Sequence, residues 1–119
     1  MIFVGTDIVP IIRIENLIKE DGKRFLNHVY TKLEQNICNT KKSPFIHYSG
    51  KFAAKEAVKK ALLSSKFTKD IPLVSIEIQN DDNGAPLVHI PQDSIKYEQL
   101  QVSISHAGEY ATATAILEL

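Results

Sequence analysis

The sequence predicts an α+β domain, a mainly antiparallel sheet with helices packed on one face. Three observations lead there. Apolar residues recur at helical spacing through the first half, at Ile11, Ile14, Leu17 and Ile18 and again in an alanine-rich run ending near Ser64. The second half alternates apolar and polar residues around turn-forming Asn, Asp and Gly. One β-branched run, residues 2–9, stands ahead of all the helices.

Residues 2–9 are apolar apart from Gly5, Thr6 and Asp7, and read as a buried strand. Pro10 suits the first turn of a helix, where its missing N–H is not needed. That helix ends at Asp21-Gly22, and a short second one carries Phe25 and Val29. Thr31 with Glu34 three residues on is a capping-box pattern, opening a third helix at about Lys32 that ends before a loop over residues 39–44. Ser49 or Gly50 opens a long helix to about Ser64. Residues 73–79 alternate as a half-buried strand, residues 80–84 turn, and residues 86–90 return. Residues 102–105 and 110–117 form a further pair around Ala107-Gly108.

At 119 residues the chain reads as one domain with a real core. Its 44% hydrophobic and 24% charged residues fit a soluble globular protein. The formal net charge of zero argues against bulk attraction to nucleic acid or to a membrane surface. Any phosphate-binding surface must then be a local concentration of lysine. Cys38 is the only cysteine, so no intramolecular disulfide forms and a reducing, cytoplasmic setting is expected. Nothing beside it in the sequence would lower its pKa. The N-terminal apolar run is broken by Asp7 and has no basic leader, so it reads as a strand and not a signal peptide. No stretch reaches the length of a membrane span.

The chemistry concentrates in Lys51-Phe52-Ala53-Ala54-Lys55-Glu56-Ala57-Val58-Lys59-Lys60-Ala61. Alanine and long unbranched side chains make it a strong helix. It sets one acid among four lysines and places small residues where a solvated helix would carry bulk. Small residues let another backbone or a ligand come close. The plain alternative is a solvated helix with a Glu56–Lys60 (i, i+4) pair. Asp7 lies in an otherwise apolar strand, where an unpaired carboxylate is costly. It either caps the helix after Pro10 or shares a metal with Glu56. Two carboxylates, with water and a substrate phosphate completing the shell, suit Mg²⁺, and no Cys/His spacing suits zinc. Lys60, on the Glu56 stripe, is the lysine best placed to reach whatever Glu56 binds. Ser105 and His106 are not a hydrolase pair, because adjacent strand residues face opposite ways and no orienting acid accompanies them. His28, His47 and His89 have no supporting context.

Val4-Gly5-Thr6-Asp7-Ile8-Val9, the run at 51–61, and Val102-Ser103-Ile104-Ser105-His106 with Glu109-Tyr110-Ala111 together resemble the holo-[acyl-carrier-protein] synthases, the small class of 4′-phosphopantetheinyl transferases. Thr31-Lys32-Leu33-Glu34 and Asn83-Gly84-Ala85-Pro86 agree more weakly. The resemblance implies that family's fold and Mg²⁺-dependent transfer of 4′-phosphopantetheine from coenzyme A to a serine of apo acyl carrier protein. Adenosine 3′,5′-bisphosphate is released, in the service of fatty acid biosynthesis.

The resemblance also implies roles for single residues. Asp7 and Glu56 match the magnesium-binding acids, and Lys60 neutralises the pyrophosphate. Lys51, standing where arginine is common, and Lys55 belong to the coenzyme A motif. Ser105 and His106 contact the nucleotide 3′-phosphate, while Gly84 and Pro86 line its adenine end. Arg13 and Arg24, otherwise a solvated basic face, meet the acidic carrier. The motifs do not identify the general base; Glu56 through a metal-bound water is the first choice and Glu34 the second. A homotrimer with sites between subunits is implied as well. Leu62-Leu63-Ser64-Ser65-Lys66 departs from the usual glycine-bearing loop. The competing expectation is a non-catalytic module that binds a nucleotide or a carrier protein.

Overall fold

The computed structural model describes residues 1–66, 68–90 and 96–119. Strand β1 (Ile2–Pro10) leads into helices α1 (Ile11–Asp21), α2 (Lys23–Val29), α3 (Lys32–Asn39) and α4 (Pro44–Ser64). After a 3₁₀ turn at Leu73–Ser75 come β2 (Glu77–Asn80), β3 (Pro86–His89), β4 (Gln99–Ala107) and β5 (Tyr110–Glu118). The first strand pairs antiparallel with the last along its whole length, from Ile2 opposite Glu118 to Pro10 opposite Tyr110. The main sheet has the order β1-β5-β4, and β2-β3 forms a separate two-stranded ribbon. The predicted α+β architecture stands.

Two boundaries and one burial pattern differ from expectation. The long helix begins at Pro44 rather than at Ser49 or Gly50, with Ser43 as N-cap and proline in the first turn. That brings Ile46 and His47 onto the helix. The expected strand over 73–79 is shortened at its start, because Ser75 donates its N–H to Pro72 O at 3.0 Å and closes the 3₁₀ turn. The first strand is not buried on both faces: Gly5 and Val9 face inward, whereas Ile2, Val4 and Ile8 are more than half exposed. Thr31 caps α3 as the sequence indicates, with both hydrogen bonds of the capping box formed. The helix-end segment that lacks glycine still turns sharply, because Lys66 itself takes a left-handed conformation with φ of 58°.

Helix α4 lies across the inner face of the sheet, and the small residues show how closely. Ala53, Ala54, Ala57 and Ala61 of α4 meet Ala111, Ala113 and Ala115 of β5 in the sealed core. A Cβ at Gly5 would stand 1.9 Å from Ala57 O and 2.8 Å from Ala61 N. The alanines of α4 therefore admit a strand backbone rather than a ligand. Among the described residues no helix covers the opposite face of the sheet, where Val4, Ile8 and Ile116 are exposed beside Thr6, Thr112 and Thr114. Among the described residues no helix is long and apolar enough to cross a membrane.

Because the Gly5 contact is with backbone, which cannot swing aside, Gly5→Ala should cost about 3 kcal/mol or more, the upper end for overpacking. Urea unfolding should show a lowered midpoint at an unchanged slope.

Candidate active site

Two regions collect the residues singled out by sequence, at opposite edges of the main sheet. At the β1 edge, Lys60 Nζ donates to Asp7 Oδ1 at 3.0 Å and to Thr6 O at 2.9 Å. The Asp7 side chain is 16% exposed and that of Lys60 51%. Asp7 does not cap α1, whose N-cap is Pro10 with no side-chain bond. Thr6, Asp7, Ile8, Lys60 and Thr112 line an open depression of about 510 Å³. Glu56 stands one turn before Lys60 on the same stripe of α4. It is half-buried and makes no hydrogen bond or ion pair among the described residues.

Among the described residues no three of His, Cys, Asp and Glu converge to cage a metal. The acids available near this edge are Asp7 in the depression and Glu56 one helical turn before Lys60. That fits Mg²⁺, which keeps several waters and takes one or two carboxylates beside substrate phosphate, and does not fit zinc.

At the β4 edge, a cleft of about 690 Å³ opens between the β2–β3 turn, α3, the start of α4 and β4. It gathers Lys51, Gly84, Pro86 and His106, four of the residues picked out by sequence. Gly84 takes a φ of 86°, which the turn requires and a side chain would resist. Lys41 and His47 join them, and Asp81 and Asp82 lie on the rim. Burial lowers the His47 pKa, and the positive charges of Lys41, His106 and Lys51 lower it further. Several cations thus repel one another around one opening, a situation that a bound anion relieves.

His47 is the residue that sequence reading missed. Its signal was Ser43-Pro44, a helix start that puts His47 one turn before Lys51 on one face.

Ser105 and Lys55 do not join the cleft. Ser105 is exposed on the outer face of the sheet, opposite Thr112, while His106 on the next residue lines the cleft. Lys55 is completely buried and ion-paired with Glu34. Burial pulls its ammonium below the ordinary range, and the Glu34 carboxylate pulls it back up. Glu34 also accepts from Thr31 N and Ile78 N, both at 2.8 Å, and is itself fully buried. With its carboxylate committed on every side, Glu34 is built as a structural anchor rather than a base in contact with solvent. Cys38 is sealed from solvent and its thiol is pushed up to about 11, so it offers no nucleophile at neutral pH. Arg13 and Arg24 are both exposed, on α1 and α2, while Lys19 between them pairs with Glu15 at 3.3 Å.

The sequence model of the 4′-phosphopantetheinyl transferase superfamily matches residues 3–115. The chain is 47% identical to a holo-[acyl-carrier-protein] synthase of Protochlamydia amoebophila, over 95% of this chain and 94% of that protein. Among solved structures it is similar to a complex of Chronobacterium ammoniagenes ACPS with CoA, with a TM-score of 0.85, 27% identity and coverage of 99% of this chain and 97% of that one. It is also similar to a Bacillus anthracis holo-(acyl-carrier-protein) synthase in complex with CoA (3′,5′-ADP). There the TM-score is 0.81 at 31% identity, over 98% of this chain and 95% of that one. The fold and the family model define a 4′-phosphopantetheinyl transferase. The chain belongs to that superfamily as an enzyme of the holo-[acyl-carrier-protein] synthase family.

Removing the ammonium from the buried pair leaves Glu34 charged and short of a partner. Lys55→Met should therefore lose about 3–5 kcal/mol of stability, read from thermal or urea unfolding.

Proposed function

We propose that the protein transfers 4′-phosphopantetheine from coenzyme A to a serine of an apo acyl carrier protein and releases adenosine 3′,5′-bisphosphate. The observation that carries this reading is the pairing of a basic cleft with a separate acid–lysine site in one small fold. The cleft suits the nucleotide: Lys41 supplies positive charge and His47 and His106 ring N–H donors for phosphate, and Gly84 and Pro86 give a flat wall for the base. Asp7 and Glu56 would hold Mg²⁺, which offsets charge on the pyrophosphate when bound. Lys60 is poised beside Asp7 to share that neutralisation. Glu56, the acid with no protein partner, is the better candidate than the enclosed Glu34 to take the serine proton through water.

We further propose a homotrimer with sites between subunits. Two observations support it. Within one chain the Asp7–Lys60 site and the cleft lie at opposite edges of the sheet, on β1 and β4, so a neighbour is needed to join them. The sheet face that no helix covers carries Val4, Ile8 and Ile116, apolar area suited to a second copy. Arg13 and Arg24 are exposed and ready for an acidic carrier, which we take to be that of fatty acid synthesis in the cytoplasm.

The transfer is tested by the mass of an apo acyl carrier protein after incubation with this protein, coenzyme A and Mg²⁺. A gain of one phosphopantetheine group is expected, and Asp7→Asn or Glu56→Gln should reduce its rate by roughly 10²–10³, the usual loss for a preorganised electrostatic group. No gain from any carrier, together with metal-independent binding of coenzyme A, would favour a non-catalytic binding module. Sedimentation equilibrium should return three chain masses, and Val4→Lys on the uncovered face should lower that value and the transfer rate together.

A further inference from the structure

The ribbon β2–β3 walls the cleft, yet among the described residues it pairs with no other strand. Two strands alone are marginal in water, so something must dock this pair. Part of the answer is apolar, through Ile76 and Ile78 in the core. The rest is polar and runs through the backbone of one residue, Ile78. Ile78 N donates to Glu34 Oε2 at 2.8 Å, and Ile78 O accepts from Lys51 Nζ at 2.9 Å. The same ammonium reaches Asn80 Oδ1 at 3.4 Å, and Asn80 Nδ2 donates to Gly84 O at 3.0 Å. A continuous path of hydrogen bonds therefore leads from α4 to the glycine at the tip of the cleft wall. Lys51 is only 6% exposed, and two of its three N–H groups point at the ribbon.

We propose that Lys51 is a positioning residue: it sets the cleft wall through Ile78, Asn80 and Gly84 and does not itself grip a phosphate. This rests on reading the cleft as the coenzyme A site. Lysine suits the task because a compact ammonium can meet one carbonyl and one amide oxygen at once inside the protein, with no planar fork to satisfy. Asn80 is the link in the chain that sequence reading treats as plain turn.

The decisive variant is Asn80→Ala, a change at an exposed side chain that leaves the core untouched. Its KM for coenzyme A should rise about fivefold, the size of one ordinary hydrogen bond, with kcat changed less than twofold. Amide hydrogen exchange at Gly84 and Ala85 should speed up in the free protein. Lys51→Met should raise KM for coenzyme A and for dephospho-coenzyme A by the same factor, and adding Asn80→Ala to it should cost little more. A Lys51→Met loss about tenfold larger for coenzyme A than for its dephospho form would overturn the proposal, since that is the mark of a direct phosphate contact. So would unchanged exchange at Gly84 in Asn80→Ala. If the unmodified protein neither binds nor uses coenzyme A, the ligand reading fails instead. The exchange rates then still decide whether Lys51 and Asn80 hold the wall.

Discussion

The close crossing of α4 over β1 is the contact from which the rest of the molecule is laid out. Gly5 and the alanines of α4 allow helix and strand to approach until only a hydrogen atom fits between them. At that distance α4 serves as a rigid rod with its two ends committed to different tasks. Its last turns bring Lys60 to Asp7 on β1, and its first turns bring His47 and Lys51 to the cleft at the β4 edge. A bulkier residue anywhere along this seam would lift the rod and shift both ends together, because interiors are packed too densely to absorb the change locally.

A second constraint is polar. Glu34 ties the start of α3, the middle of α4 and the β2 strand into one knot, through Thr31 N, Lys55 and Ile78 N. Among the described residues no buried side-chain nitrogen or oxygen lacks a partner. The knot is therefore satisfied, and a satisfied network fixes geometry, whereas a partial one would cost stability. Its place is telling: Lys55 and Glu34, which the sequence motifs assign to the active site, pair with each other and hold the cleft wall from behind.

The charge pattern follows the same division of labour. The chain is neutral as a whole, yet Lys41, His47, Lys51 and His106 share one opening and Asp7, Glu56 and Lys60 another stretch of surface. Such local sorting would give the phosphate-rich ligand proposed above a defined direction without the nonspecific attraction that a large net charge would bring. The open sheet face sits beside the Asp7 depression, with Ile8 and Thr112 belonging to both. In the trimer proposed above, assembly and the Asp7 site would share this one strand.

Much of this was legible in local pattern. The helical spacing of Ile14, Leu17 and Ile18, the capping box at Thr31 and Glu34, and the alternation from Ile76 onward gave the elements and the α+β class, and the motifs around Asp7, at 51–61 and at His106 pointed to the family. Where pattern and structure differ, the cause is local too: Ser43-Pro44 starts the long helix ahead of Ser49 and carries His47 onto it. Tertiary structure alone decided which motif residues face a ligand. Lys55 and Glu34 are 21 residues apart and Glu34 and Ile78 are 44 apart, and only the fold reveals that they meet in the interior. The sequence by itself determined the element types and the family, because periodicity, caps and turn chemistry act within a few residues. The direction each charged side chain takes was settled by packing between distant segments, since a buried charge must find its partner wherever the fold supplies one.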